Sequence, residues 1–227
     1  MTVNLAHFSD THGLPRKEVP DDTDVIVLSG DICPNRTRGL IDIEIDYQEQ
    51  WLRKTAPQWR AWSKNKPIAL VPGNHDFFPD IAWVLRALGV NAFDVSYCVE
   101  GRKDRSGYKP LEICGLTFFG LPDIPWMGGE WNHEHGELEI SSRFEEVLDT
   151  RPDVVVSHCP PYGVLDNPFD FGTYHIGSSA VATLLGYHEH EPKAYLCGHC
   201  HERGGRTAMI RSTIVSNAAA SRVLLKI

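Results

Sequence analysis

The chain has 227 residues, a length that fits one mixed domain with a substantial core. Its 22 basic and 30 acidic residues give a formal net charge of −8, which argues against a protein that holds duplex nucleic acid by its phosphates. The apolar runs fall short of the roughly 18 residues that a membrane helix needs, and the N-terminus does not resemble a signal peptide. With six cysteines in a chain of this size, we expect reduced thiols and a cytoplasmic protein without a membrane partner.

The first half of the chain alternates between apolar runs and amphipathic stretches. Strands are predicted over Val3 to Ser9, Asp24 to Ser29 and Ile68 to Val71, and helices over Ile41 to Ser63 and Ile81 to Leu88. Pro57 lies within the first helix, and we expect it to interrupt or kink that helix because proline lacks an amide hydrogen. This alternation is typical of βαβ units and predicts a mostly parallel sheet.

The second half changes character. Short strands are predicted at Tyr97 to Glu100, Leu111 to Ile113 and Leu116 to Gly120, and the glycine-containing turns between them favour hairpins. The stretch from Pro122 to Glu137 shows no hydrophobic period, so it is predicted to be a loop. The remaining elements are helices over Ile140 to Asp149 and Ser178 to Tyr187, and strands over Asp153 to Val156, Lys193 to Leu196, Met209 to Ser216 and Arg222 to Ile227. Because no repeat or linker interrupts the pattern, we predict a single α/β domain spanning residues 1–227.

Five of the predicted strands are followed directly by polar clusters. These clusters are Asp10 with His12, Asp31, Asn74 with His75 and Asp76, His158, and His199 with His201. One such residue after a strand is usually a turn or cap residue, but five clusters form a pattern. Since sites in open α/β sheets form outside the carboxyl ends of the strands, we expect these side chains to meet at one rim.

The residue types in these clusters suit transition metals. In Asp10-x-His12 and His199-x-His201 the spacing of two points both side chains of an extended segment to one side. Imidazole, carboxylate and amide ligands fit Mn²⁺ first, and Fe, Zn, Co or Ni, better than Ca²⁺ or a bare Mg²⁺ site. The candidates are too many for one tetrahedral zinc and fit two cations that share a carboxylate, an arrangement that serves displacement at phosphorus.

The motifs Asp10-x-His12, Gly30-Asp31, Gly73-Asn74-His75-Asp76, His158 and Gly198-His199-x-His201 together resemble the calcineurin-like metallophosphoesterases. The resemblance implies a four-layer αββα sandwich with a dinuclear centre between the sheets. It implies one metal held by Asp10, His12, Asp31 and His201, and a second held by Asp31, Asn74, His158 and His199. It also implies that His75 donates a proton to the leaving oxygen and contacts the phosphate together with Asn74. Asp76 is predicted as a second catalytic residue, which lies behind His75 and orients its imidazole.

A narrower resemblance bears on the substrate. The stretch from Pro160 to Asp166, with His175-Ile176-Gly177 and with Gly120-Leu121-Pro122 leading to Trp126, is similar to the MPPED-like (brain-239 type) branch. That branch is associated with phosphodiesters, including cyclic nucleotides. We therefore expect a small phosphodiester, attacked in line by a hydroxide that bridges two metals. Trp126 either stacks a nucleobase or anchors its loop.

Other functions were weighed against this one. Cys197-Gly198-His199-Cys200 has the form of a dithiol motif, but it follows an apolar strand rather than opening a helix, so neither redox catalysis nor a structural zinc is favoured. A binding scaffold on the same fold would lack ligands, and none is missing here. A phosphomonoesterase, a protein phosphatase or a nuclease on the same centre are the enzyme alternatives.

Overall fold

The computed structural model describes residues 2–37, 40–97, 109–169 and 174–227. The strands are β1 (Asn4–Phe8), β2 (Val25–Ser29), β3 (Ile68–Val71), β4 (Ala92–Asp94), β5 (Leu111–Ile113), β6 (Leu116–Leu121), β7 (Ile124–Pro125), β8 (Glu134–His135), β9 (Val154–Ser157), β10 (Ala194–Cys197), β11 (Arg206–Ile210), β12 (Thr213–Asn217) and β13 (Arg222–Lys226). The helices are α1 (Ile41–Ser63), α2 (Ile81–Ala87), α3 (Glu137–Asp149) and α4 (Ser179–Tyr187).

Two large mixed sheets form the centre of the fold. The first has the order β13–β1–β2–β3–β4 and the second the order β11–β12–β10–β9–β6–β5, while β7 and β8 form a separate pair. The strands β1 to β4 are parallel to one another, as are β6, β9, β10 and β12, and antiparallel strands lie only at the edges. Every residue of β2, β3, β9 and β10 is buried, which is expected for parallel strands covered on both faces.

Three hydrophobic cores separate four layers. The first lies between the first sheet and helices α1 and α2, and includes Phe8, Leu28, Leu52 and Leu85. The second fills the space between the two sheets with Leu5, Val27, Val71, Phe118, Val156 and Leu196. The third joins the second sheet to α3 and α4 through Phe144, Val147, Val155, Leu185 and Tyr195. The structure therefore confirms the predicted αββα sandwich.

Helix α1 continues through Pro57, so the interruption, one of the two outcomes expected of this proline, is wrong. Proline in a helix interior costs about 3 kcal/mol, mainly through one lost hydrogen bond. The Pro57 ring is exposed, whereas Leu52 and Trp59 on either side are fully buried. Burying each of those two side chains contributes on the order of 2 kcal/mol or more, so packing offsets the defect.

Other differences concern short elements. Strand β4 was not predicted, and the strand predicted over Met209 to Ser216 is a hairpin of β11 and β12 that turns at Arg211, whose φ is 51°. The loop predicted over Pro122 to Glu137 contains the pair β7 and β8, and α3 begins at Glu137 rather than Ile140. For the strand predicted over Tyr97 to Glu100, Tyr97 lies outside any strand and the other positions lie outside the described residues.

Across the described ranges, no helix combines the length and the apolar character that crossing a membrane requires.

Candidate active site

The polar residues that follow β1, β2, β3, β9 and β10 meet at one edge of the sandwich. Three of these strands belong to the first sheet and two to the second, so the cluster joins the carboxyl ends of both sheets. The seven predicted ligands are all brought together there: Asp10, His12, Asp31, Asn74, His158, His199 and His201.

A first group of donors consists of Asp10, His12 and His201, whose ligand atoms all lie within 4.8 Å of one another. The Nε2 atom of His201 is 3.0 Å from Oδ1 of Asp10. The other carboxylate oxygen of Asp10 accepts a hydrogen bond from the backbone amide of His199 at 3.0 Å. Both histidines of this group are accessible, whereas Asp10 is buried, so the group opens toward solvent on the histidine side.

A second group of donors is built around Asn74. Its Oδ1 atom lies 2.9 Å from Nε2 of His158 and 3.2 Å from Nδ1 of His199. The Nε2 atom of His158 is also 3.5 Å from Oδ2 of Asp31. Asp10, Asp31 and His158 again place their ligand atoms within 4.8 Å of one another.

Asp31 links the two groups through a single oxygen. Its Oδ2 atom is 3.8 Å from Nε2 of His12 in the first group and 3.5 Å from Nε2 of His158 in the second. Its other oxygen, Oδ1, accepts the backbone amide of His75 at 2.8 Å, which fixes the rotation of the carboxylate. The residue is almost fully buried, at 2% exposure.

The backbone around these donors is strained. Asp10, His12, Asp31 and His199 have φ values of 51°, 42°, 53° and 66°, in the left-handed region. Each such residue costs on the order of 1–3 kcal/mol, and strain of this kind concentrates at functional sites. Four strained positions among seven candidate ligands show that the fold is organised to aim these side chains.

Two glycines allow the backbone to approach the carboxylates. A Cβ atom at Gly73 would collide with Oδ1 of Asp31, and one at Gly198 would collide with Oδ2 of Asp10. Both glycines sit directly before predicted ligands, Asn74 and His199. The glycines of the sequence motifs are therefore required by close packing.

The charges in the cluster depend on one another. Burial by itself raises the pKa of Asp31, but the charge and hydrogen bond of His158 outweigh it and hold that pKa below its usual value. Burial lowers the pKa of His158, and the charge of Asp31 more than reverses this, raising it to about 10. Burial, followed by the charge of His158, lowers the pKa of His199 to about 4. The buried carboxylates thus demand a compensating positive charge.

The donor set fits divalent cations. It combines carboxylate, amide and imidazole atoms, which is the ligand chemistry of borderline first-row metals. The Nε2 atom of His199 is inaccessible and has no hydrogen-bond partner within the described parts of the chain, while its Nδ1 atom faces the second group. A cation would supply the positive charge that a proton on His158 supplies here.

His75 lies beside the cluster with its ring held on two sides. Its Nδ1 atom is 2.9 Å from Oδ1 of Asn35, and its ring centroid is 4.3 Å from that of Trp131. Its carbonyl oxygen accepts hydrogen bonds from Nδ2 of Asn35 at 3.1 Å and from Nε2 of Gln48 at 2.8 Å. Burial lowers the pKa of its imidazole. Sequence reasoning missed the roles of Asn35, Gln48 and Trp131.

Asp76 does not orient the His75 imidazole as predicted. Its carboxylate accepts backbone amides of Gly73 at 2.8 Å, Cys33 at 2.7 Å and Ile32 at 3.0 Å, and it is fully buried. Burial, followed by the charge of Asp31, raises its pKa to about 6 despite those three amides. Asp76 therefore joins the turn after β3 to the segment after β2, and the imidazole takes Asn35 as its partner instead.

The loop after β6 approaches the site through residues other than Trp126. The backbone amide of Asn132 donates to the carbonyl of Asn74 at 3.1 Å, and its side chain donates to the carbonyl of Asp76 at 2.6 Å. Trp126 is 67% exposed and covers Gly129, where a Cβ atom would lie 2.6 Å from the indole. Trp131 is the loop aromatic that contacts His75.

The dithiol motif lacks the setting of a dithiol redox site, in which the motif opens a helix. Cys197 and Cys200 are buried free thiols, and Cys197 ends a strand rather than opening a helix. Burial raises the pKa of Cys200 to about 12 and that of Cys197 well above its usual value, so neither forms the reactive thiolate at neutral pH.

A four-layer sandwich with two Asp/His donor groups at its strand ends is consistent with a metal-dependent phosphoric ester hydrolase. The chain belongs to the calcineurin-like phosphoesterase family, whose family model matches residues 3–203.

Of the solved structures similar to this chain, one supports the fold with a TM-score of 0.70. This crystal structure shares 15% identity with the chain and covers 100% of this chain and 95% of the other. The phosphopantetheinyl hydrolase PptH from Mycobacterium tuberculosis shares 16% identity and a TM-score of 0.48, covering 96% and 89%. The sulfate thiohydrolase SoxB from Thermus thermophilus, in complex with glycerol, shares 12% identity and a TM-score of 0.42, covering 89% and 35%. No curated protein matches the chain.

Proposed function

We propose that this chain hydrolyses small phosphodiesters with two divalent cations, Mn²⁺ being favoured. The observation that carries the proposal is the position of Asp31, whose single oxygen Oδ2 faces a histidine of each donor group at 3.8 and 3.5 Å. One carboxylate oxygen between two donor groups suits a dinuclear centre, whose two ions lie about 3.5–4 Å apart. Membership of the MPPED-like branch, with its cyclic nucleotide substrates, is part of this proposal.

The two cations would be held by separate sets of side chains that share Asp31. The first set is Asp10, His12, Asp31 and His201, and the second is Asp31, Asn74, His158 and His199. When bound, such ions polarise phosphoryl oxygens and lower the pKa of water toward neutrality. The backbone amide of His75 keeps Oδ1 of Asp31 engaged, which leaves Oδ2 for the shared position.

His75 would serve as general acid toward the leaving oxygen. The Nδ2 atom of Asn35 donates to the His75 carbonyl, which turns the amide oxygen toward the imidazole. Because that oxygen can only accept, Nδ1 of His75 must carry a hydrogen, and the proton that is given up or taken is the one on Nε2. Trp131 covers the ring and limits its rotation, so the acid is held in place before substrate arrives.

The test is a substrate panel on metal-depleted protein with and without added Mn²⁺. We expect turnover of bis-(p-nitrophenyl) phosphate and of a cyclic nucleotide, either 2′,3′ or 3′,5′, that depends on the metal. Faster turnover of p-nitrophenyl phosphate than of the diester would establish the phosphomonoesterase alternative instead. Metal binding with no turnover of any phosphoester would establish a scaffold.

The five described cysteines are free thiols, which supports the proposed cytoplasmic location.

A further inference from the structure

A cavity of about 400 Å³ opens directly on the first donor group. Asp10, His12 and His201 line it, so a phosphoryl group bound at these residues would project the rest of its molecule into this space. The volume lies within the range of small-molecule sites. The cavity is thus placed to receive the part of a substrate that does not react.

The same cavity is lined by two cationic side chains, Arg16 and Lys17. Asp10 is the sole carboxylate among its described lining residues, although the chain as a whole carries a formal charge of −8. The guanidinium of Arg16 has neither a hydrogen bond nor an ion pair within the described ranges. The ammonium of Lys17 donates to Oγ of Ser221 at 3.1 Å, which leaves two of its three hydrogens for another acceptor.

The segment that carries these two cations is fixed to the body of the protein. The indole Nε1 of Trp62 donates to the carbonyl of Lys17 at 2.9 Å, and a guanidinium nitrogen of Arg222 donates to the carbonyl of Glu18 at 2.7 Å. Trp62 also packs edge-on against Phe8, at 5.1 Å between ring centroids, and Phe8 forms part of the cavity wall. The two cations therefore sit on an anchored support, which reduces the entropy lost on binding.

We propose that Arg16 and Lys17 form a subsite for a second anionic group, so that the preferred substrate is a phosphodiester that carries a further phosphate or carboxylate. Arginine and lysine engage such groups through charge-assisted hydrogen bonds, which are the stronger kind. The inference rests on the proposed phosphodiesterase function, since it assigns the substrate class of that same site.

The experiment compares two substrates with one leaving group on the protein reconstituted with Mn²⁺. Thymidine 5′-(p-nitrophenyl phosphate) carries one anion, and its 3′-phosphorylated form carries a second. In the unsubstituted protein we expect kcat/KM to be about ten-fold higher for the 3′-phosphorylated substrate, because a ten-fold ratio corresponds to the free energy of one charge-assisted hydrogen bond. Arg16→Gln/Lys17→Gln keeps the side chains polar while removing both charges, and should bring the ratio close to one. Lys54→Gln, at an exposed position of α1, is the matched control and should leave the ratio unchanged.

A binding measurement separates this inference from the proposed function. Calorimetry with thymidine 3′,5′-bisphosphate and thymidine 5′-monophosphate measures binding without turnover. The bisphosphate should bind more tightly than the monophosphate to the unsubstituted protein and to Lys54→Gln, whereas the two Kd values should be close to equal in Arg16→Gln/Lys17→Gln. If neither ester is hydrolysed but the Kd ratio falls in the double variant, the subsite stands and the proposed function fails. If the unsubstituted protein hydrolyses both esters with a kcat/KM ratio near one, or if the double variant keeps the preference for the 3′-phosphorylated ester, the subsite is overturned. Absence of both hydrolysis and binding overturns the two together.

Discussion

The amide of Asn35 holds His75 at two points: its Oδ1 atom is 2.9 Å from the imidazole Nδ1, and its Nδ2 atom donates to the His75 carbonyl at 3.1 Å. Both bonds depend on the orientation of one side chain, so Asn35 fixes the tautomer and the direction of the ring together. Asn35 acts through His75 and is a positioning residue.

Asn35→Asp should move the pH dependence of turnover. A carboxylate in this position would raise the pKa of the neighbouring imidazole, since a nearby negative charge favours its protonated form. Because the general acid must be protonated, the alkaline limb of the kcat profile should shift to higher pH by roughly one unit. The profile is measured on a 3′,5′-cyclic nucleotide, whose alkoxide leaving group needs the proton, with saturating Mn²⁺. A profile that falls in amplitude without moving would indicate a purely structural role for Asn35.

His75→Ala should lower kcat according to the leaving group. On a 3′,5′-cyclic nucleotide, whose alkoxide needs a proton, we expect a loss of about 10²–10⁴-fold. On bis-(p-nitrophenyl) phosphate the loss should be smaller, because nitrophenolate leaves without protonation. Elemental analysis should find the metal content close to that of the unsubstituted protein. Equal losses on both substrates would reject the role of general acid.

Gly73→Ala should damage the centre although it replaces none of the candidate ligands. The new methyl group would collide with the Asp31 carboxylate, so we expect weaker metal binding and a loss of stability on the order of 1–3 kcal/mol. Gly186→Ala is the matched control, because a Cβ at that position in α4 meets no atom within 4 Å. Removing a helical glycine there should leave metal content unchanged and raise stability by up to roughly 1 kcal/mol. Metal titration and urea unfolding measure the two effects.

His7 should make stability fall in mild acid. It bridges the two sheets, with Nδ1 2.9 Å from Ser216 Oγ and Nε2 2.8 Å from Ser29 Oγ, and burial lowers its pKa to about 3. Above the unfolded value of 6.5, both states are neutral and the group has no effect on the pH dependence. Below 6.5 only the unfolded chain takes up the proton, so folding weakens as pH falls toward about 3.

The size of that effect is measurable by urea unfolding with a chelator present, which removes any competition between protons and metals. Between pH 6.5 and pH 5, His7 should account for a fall of about 2 kcal/mol. His7→Gln keeps two hydrogen-bonding atoms and should flatten this part of the curve. An equal slope in both proteins would show that His7 takes up a proton in the folded state.

The convergence of the candidate ligands could be predicted from the sequence, while the residues that support them could not. Asp10, Asp31 and His158 each follow an apolar strand, so local pattern and the geometry of parallel sheets place them together. Asn35 and Gln48 belong to a loop and a helix 40 and 27 positions from His75, and no periodicity connects them to it. Their roles follow from tertiary packing alone.

Contacts within the fold also limited what the sequence could predict for Trp126 and Pro57. Composition drew attention to Trp126 because aromatics in loops can stack bases, but the carboxylate of Glu134 organises this loop by accepting four backbone amides, and Trp131 is the residue turned toward His75. Pro57 predicts a break from its local chemistry, and burial of the neighbouring residues overrides it. Hydrogen bonds within the loop decided the first case, and burial against the core decided the second.

The shared oxygen of Asp31 is tested most directly by the metal content of Asp31→Asn, measured by elemental analysis after reconstitution with Mn²⁺ and removal of free metal. The unsubstituted protein should hold two ions per chain. The amide keeps the shape of the side chain but loses the charge at the position between His12 and His158, so both ions should be lost or bound far more weakly. As a comparison, His12→Ala removes a ligand of the first group alone and should leave the second ion in place. Two tightly bound ions in Asp31→Asn would contradict the shared site.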